Sequence, residues 1–207
     1  MKLWVYGCSF SEPFQLQPGG AEWDEHGYRI IYVDYWGTHL AKKLGARCIT
    51  RSLSGVGWNY ITEQIDQDIL DWSADDLIII SPSFFTRVTF EELIQRDSQT
   101  ELAMQMQPWD YIHNYNKNRW LRKIKTLQHF GYRVYTWSVD PVEMDIVDNL
   151  LVPSTETACW KEWMDGHYEY WTSLPGVVYP LGDWHFNPAG HRAVAEIMYE
   201  QICKKQR

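Results

Sequence analysis

Two clusters at opposite ends of the chain hold residue types capable of nucleophilic chemistry. Late in the sequence, Gly182-Asp183-Trp184-His185-Phe186-Asn187-Pro188 sets a carboxylate and an imidazole two residues apart, just before a predicted helix start. Asn187 is suited to cap that helix and Pro188 to occupy its first position, where a missing N–H costs nothing. An imidazole titrates near neutrality, and a carboxylate beside it fixes its tautomer and stabilises the imidazolium. Asp183 and His185 together therefore have what a general base requires. At the other end, Gly7-Cys8-Ser9-Phe10-Ser11 supplies a thiol and two hydroxyls directly after an apolar, aromatic run. A nucleophile on the turn after the first strand of an α/β sheet sits at the carboxyl edge, where such sheets bind ligands.

The elements that must position these groups are legible as alternating patterns. Lys2 to Tyr6, Arg47 to Leu53, Leu77 to Ser81 and Arg133 to Ser138 read as strands, the second interrupted by Arg51. Tyr35 to Leu44 reads as a helix stopped by Gly45, and Asn118 to Phe130 as one stopped by Gly131. Trp58 to Trp72 repeats Ile61, Ile65, Ile69 and Trp72 at helical spacing, and the last helix carries Val194, Ile197, Met198 and Ile202. Strands alternating with helices predict a three-layer α/β/α sandwich around a mainly parallel sheet. Three aromatic-rich stretches break the alternation, near 12–33, 88–115 and 141–179. Each follows a strand end, so they are expected as insertions over the carboxyl edge, the usual place of lids and binding loops.

With these motifs in this order the chain resembles the SGNH (GDSL-like) hydrolases, in a divergent Gly-Cys-Ser form. That family has its nucleophilic serine in a Gly-Asp-Ser turn after the first strand and its base in a late Asp-x-x-His block. The resemblance implies Ser9 as the nucleophile rather than Ser11, His185 as the base and Asp183 as its orienting partner, here spaced Asp-x-His. It implies an oxyanion hole from the backbone N–H groups of Ser9 and Gly55, in the Ser52-Leu53-Ser54-Gly55-Val56-Gly57-Trp58-Asn59 block that opens the second helix. Gly57 is its neighbouring alternative, and Asn59 of the same block is an alternative source for the side-chain donor of the third block. The family's third block, Gly-x-Asn-Asp, is absent: the third strand runs into Ser81-Pro82-Ser83-Phe84-Phe85-Thr86-Arg87. Ser83 is the expected substitute donor, with Thr86 and Arg87 as alternatives. The flavodoxin-like fold and an esterase or O-deacylase activity through an acyl-enzyme, without cofactor, follow as expectations.

Rival readings remain. Cys8 stands where the family has aspartate, and a thiolate beside His185 would be a strong nucleophile, against a buried inert thiol. An alcohol in place of water would make the same site an O-acyltransferase. A non-catalytic glycan- or protein-binding module on the same fold is the alternative from another class. The abundant aromatics, 12 Trp and 13 Tyr, including Trp23, Tyr28, Trp109, Tyr111, Trp160, Trp163, Tyr168, Tyr170 and Trp171, serve either to stack on sugar rings or to fill a lid poor in aliphatics.

Composition bounds the rest. A chain of 207 residues, 45% hydrophobic, suffices for one well-buried core, so a single domain over 1–207 is expected. With 19 basic against 27 acidic residues and a net charge of −8, a nucleic-acid partner is not expected, and a small-molecule or glycan ester is. Cys8, Cys48, Cys159 and Cys203 show neither a metal spacing nor a disulfide framework, and Asp183, His185 and His191 lack a same-face helical spacing for a metal. His191, inside the last helix, is expected to be structural. The first residues already read as strand and no apolar run spans a bilayer, so neither signal peptide nor membrane span is expected, and the location is cytoplasmic or virion-associated. Nothing in the sequence sets the oligomeric state.

Overall fold

The computed structural model of the chain describes residues 1–8, 11, 14–18, 28–32, 34–53, 56–82, 84–85, 108–167 and 186–205, with backbone alone for 14–18, 28–32 and 108. In chain order the elements are β1 (Lys2–Gly7), β2 (Phe14–Pro18), β3 (Tyr28–Tyr32), α1 (Trp36–Leu44), β4 (Arg47–Ser52), α2 (Trp58–Asp68), β5 (Leu77–Ile80), α3 (Pro108–His129), β6 (Arg133–Thr136), α4 (Trp160–Asp165) and α5 (Pro188–Lys205). The main sheet is parallel throughout, in the order β4-β1-β5-β6. Isolated parallel bridges, Thr136 with Leu150 and Ser138 with Cys159, extend its far edge.

The period-two alternation of β1 divides the core. Leu3 and Val5 face one side, where Leu77, Ile79, Tyr135 and Trp137 meet Trp36 and Leu40 of α1, Trp160 of α4, and Val194, Met198 and Ile202 of α5. Trp4 and Tyr6 face the other, with Ile78, Ile80 and Val134 against Trp58, Ile61 and Ile65 of α2 and Trp120, Ile124 and Leu127 of α3. Both faces are covered, which a parallel sheet requires. Fully burying each of these aliphatic or aromatic side chains contributes about 1.5–3 kcal/mol.

Local signals set the element ends. Gly45 and Gly131 adopt φ of 63° and 84°, the left-handed turn that stops α1 and α3 where the sequence predicts. Pro188 opens α5, and the Gly190 amide donates to Asn187 Oδ1 at 2.8 Å, the predicted cap. The start of β1 is pinned from below by the buried carboxylate of Asp76, which accepts the Lys2 amide at 2.7 Å and the Trp4 indole N–H at 3.1 Å. Farther along, the Tyr6 hydroxyl donates to Asp68, receives the Trp72 indole N–H at 3.0 Å, and is driven far above the ordinary phenol value chiefly by burial. Arg51 grips the same Asp68 carboxylate with two bonds, at 2.9 and 3.1 Å.

Two helix ends differ from the sequence reading, and two of the expected insertions contain regular structure. α2 ends at Asp68 and a single 3₁₀ turn, Ile69–Asp71, completes the predicted helix to Trp72. α3 begins at Pro108, ten residues before the predicted start, so the end of the 88–115 insertion is helix. Asn116 lies on the helix face with Ile112 and Trp120, and this polar residue on the apolar stripe obscured the period. The 12–33 insertion contains an antiparallel hairpin, β2 paired with β3, and the 141–179 insertion contains the short α4.

Candidate active site

The site is built from the ends of strands. In this strand order the chain leaves β1 toward β4 on one side and returns to β5 on the other, so the topological switch point lies at the carboxyl end of β1, where ligand crevices form in such sheets. β1 ends in Gly7, and the parallel ladder continues on both sides of it. The Leu53 amide donates to Gly7 O at 3.3 Å, and the Ser81 amide to Tyr6 O at 2.8 Å.

Beyond Gly7 the backbone turns at once. Cys8 is completely buried, and its carbonyl accepts the Ser11 amide at 2.8 Å. Ser11 is also completely buried and sits directly over Gly7, while the Thr50 hydroxyl reaches its carbonyl at 3.5 Å. No described group bonds the Ser11 hydroxyl. A hydroxyl buried against Gly7 in this way is unsuited to meet a substrate. Cys8 and Cys159 are buried, Cys48 and Cys203 half-buried, and all four are free thiols. Burial raises the Cys48 and Cys159 thiols above their ordinary value. The Cys8 side chain belongs to the core cluster of the α1/α5 face, as expected of an inert thiol.

The block after β4 opens α2. Gly57 takes the position before the first helical residue with an extended backbone (φ −92°, ψ −176°) and has no side chain to cap the helix. The first amides of α2, including that of Asn59, thus begin the helix at the carboxyl edge, and such orphan donors suit an anion. The Asn59 side chain is half-buried, and its carbonyl accepts the Thr62 hydroxyl at 2.8 Å.

The segment after β5 is held on both sides of position 83. The carbonyl of Ile80 accepts the Thr136 hydroxyl at 2.5 Å, and that hydroxyl accepts the Trp120 indole N–H at 2.9 Å. Farther on, Phe85 is buried with its ring against Trp120 and His113. Its amide donates to Asp140 Oδ2 at 2.5 Å, and its carbonyl accepts Asn116 Nδ2 at 2.8 Å. Neither Asp140 nor Asn116 was singled out from the sequence. The available signal was the polar Asn116 on an apolar helix stripe.

The late block reaches the same core. Phe186, the residue after His185, is buried in the cluster that contains Cys8, the residue before Ser9. Asn187 caps α5 through its side chain and accepts the His191 amide at 2.9 Å through its carbonyl. His191 is buried, accepts the Trp36 amide on Nδ1 at 3.3 Å, and lies edge-on to Tyr35 and Phe186. The expected structural role of His191 is what these contacts describe: it ties the start of α5 to the start of α1.

Of the residues the sequence nominates, Ser9, Gly55, Ser83, Thr86, Arg87, Asp183 and His185 lie outside the described residues. Gly57 and Asn59 lie within them. The aromatics divide: Trp160 is core, with its indole N–H on Leu151 O at 2.9 Å, whereas Trp109 is 66% exposed and Tyr115 50% exposed, the latter stacked on Tyr111. Trp23, Tyr168, Tyr170 and Trp171 lie outside the described residues, and Tyr28 is described by its backbone alone. Among the described residues no helix is long and apolar enough to cross a membrane.

No protein-family model matches the chain, and no curated protein matches it. Solved structures do. One is a carbohydrate esterase whose active site is described as displaying divergent catalytic and non-catalytic binding functions. It is 13% identical, with a TM-score of 0.51 over 99% of this chain and 69% of that one. A protein described as a GDSL-like lipase, from Parabacteroides merdae, is 9% identical, with a TM-score of 0.44 over 96% of this chain and 94% of that one. A protein described as lipolytic and of the G-D-S-L family, from Desulfitobacterium hafniense, is 12% identical, with a TM-score of 0.41 over 97% and 98%. The likeness to the esterase, together with the parallel β4-β1-β5-β6 sheet between two helical layers, shows that the chain shares the α/β fold of that esterase, the three-layer architecture expected from the sequence.

Proposed function

We propose that the chain is a serine ester hydrolase, an O-deacylase of acylated carbohydrate. Ser9 Oγ attacks the acyl carbonyl while His185 takes its proton and Asp183 orients the imidazole. The N–H groups of Ser9 and Gly55, with a side-chain donor from the Ser83 to Arg87 segment, receive the oxyanion. His185 returns the proton to the departing sugar hydroxyl. Water, deprotonated by His185, then cleaves the acyl-enzyme and restores Ser9.

One observation carries this reading: the described neighbours of the two distant motifs, Cys8 beside Ser9 and Phe186 beside His185, belong to the same buried core cluster on the α1/α5 face of the sheet. Motifs far apart in sequence thus adjoin elements that fold together. Carbohydrate is favoured because a carbohydrate esterase shares the fold and because Trp109, Tyr111 and Tyr115 leave ring surface open at the start of α3, and such rings suit stacking on sugars.

The test is labelling with a fluorophosphonate followed by peptide mapping, alongside turnover on acetylated sugars. Labelling at Ser9, loss of turnover in Ser9→Ala by up to ~10⁶-fold, and a rate that rises with pH through the ordinary histidine value of about 6.5 are expected. Asp183→Asn lowers turnover by up to ~10⁴-fold through the wrong tautomer. A protein that binds glycan yet neither hydrolyses esters nor takes the probe refutes the hydrolase in favour of a binding module. Acyl transfer to an added sugar in preference to water makes it an acyltransferase.

A further inference from the structure

We infer that Asp140 and Asn116 are positioning residues for the oxyanion hole, acting through the backbone of Phe85; the inference rests on the hydrolase reading above. The Ser81 to Arg87 segment follows β5, where the resemblance expects an asparagine donor, and it contains no asparagine. A short hydroxyl such as that of Ser83 has little reach, so its usefulness depends on where the backbone is held.

That backbone is held by partners from two other elements. Asp140, four residues beyond β6, accepts the Phe85 N–H at 2.5 Å, and its own amide is fixed on the Ser138 hydroxyl at 3.2 Å. Asn116, buried in the third turn of α3, donates to the Phe85 carbonyl at 2.8 Å. The Phe85 ring packs 5.3 Å from Trp120, one helical turn after Asn116. Both backbone groups and the side chain of one residue are therefore fixed at once. On the near side of position 83, the Thr136 hydroxyl fixes Ile80 O, so the segment is anchored at each end. Asp140 carries the amide bond with a carboxylate, which makes it the stronger type of hydrogen bond.

Removing the Asp140 acceptor takes away one of the two backbone bonds that hold Phe85, the far anchor of the segment. A shift of about 1 Å in a catalytic group can cost ~10²-fold in rate, and an oxyanion contact acts on turnover rather than on substrate affinity. The experiment measures kcat and KM per titrated active site for wild type, Asp140→Ala, Asp140→Asn and Asn116→Ala, together with hydrogen exchange at the Phe85 amide. Asp140→Ala is expected to lower kcat by ~10²-fold with KM nearly unchanged and to speed exchange at Phe85. Asp140→Asn, which keeps an acceptor oxygen, is expected to recover most of both. Asn116→Ala is expected to lower kcat in the same sense and serves as the test should Asp140→Ala not fold. Active variants whose kcat per site equals wild type, with the Phe85 amide deprotected, overturn the positioning role and leave the hydrolase intact. A wild-type protein without esterase activity or probe labelling overturns the hydrolase reading itself, and the positioning role with it.

Discussion

A β-carbon on Gly7 would lie 2.7 Å from the hydroxyl oxygen of Ser11 and 2.9 Å from its β-carbon, so the turn after β1 closes only over glycine. Ser11 is completely buried and cannot swing aside, and the β-carbon of Ser81 stands 3.2 Å away on the other flank. Gly7→Ala is therefore expected to cost about 1–3 kcal/mol by overpacking and to lower activity further by displacing the turn that leads to Ser9. Urea unfolding and ester turnover check both parts. A variant as stable and active as wild type would show that this turn has slack.

Cys8 separates the serine mechanism from the thiol one. Its complete burial in the α1/α5 core predicts that thiol reagents fail to reach it in the native protein. Cys8→Ala is expected to retain turnover within a few-fold, at a stability cost of about 1 kcal/mol from the small cavity. Peptide mapping after native alkylation provides the check, and fast modification of Cys8 with loss of activity would favour the thiol nucleophile.

The cap on α5 is a local feature with a distant consequence, because α5 begins three residues after His185. Asn187→Ala removes the acceptor of the Gly190 amide and should destabilise the protein by about 1 kcal/mol, with Asn187→Asp close to neutral. Thermal unfolding of the pair measures it. Equal losses in both variants would mean that the cap bond contributes little.

Asp76 ties stability to pH. Burial raises its pKa, but the amides of Lys2 and Ser73 and the Trp4 indole outweigh burial and hold the carboxyl below its ordinary value. A carboxylate lowered on folding stabilises the protein above its unfolded-state pKa, and that contribution is lost as pH falls through the folded-state value. Asp76→Asn should cost about 3 kcal/mol at neutral pH and give a shallower acid limb in unfolding experiments between pH 6 and about 2. A variant with the acid sensitivity of wild type would place the titrating group elsewhere.

The sequence alone determined the architecture's periodic part. Short continuous apolar strand runs, helices at 3.6-residue spacing, Gly45 and Gly131 as stops and Asn187-Pro188 as a start are local signals, and these elements formed where local energetics directed. The candidate triad was also legible, because a nucleophile after one strand and a carboxylate–imidazole pair before a capped helix are patterns of residue type and spacing. The early start of α3 was not legible. Asn116 interrupts the apolar stripe there, and its buried amide bonds the carbonyl of Phe85, a residue 31 positions away. Asp140 reads in sequence as an ordinary loop acid before Pro141, and only the parallel pairing of β5 with β6 brings its carboxylate to the Phe85 amide. Similarly, only the resemblance ranks Ser11 below Ser9 in the sequence, and it is the packing of Ser11 over Gly7 that seals the Ser11 hydroxyl into the core. Periodicity and capping are written within a few residues, whereas which polar groups meet across strands depends on the order in which the sheet assembles, and that is a property of the whole fold.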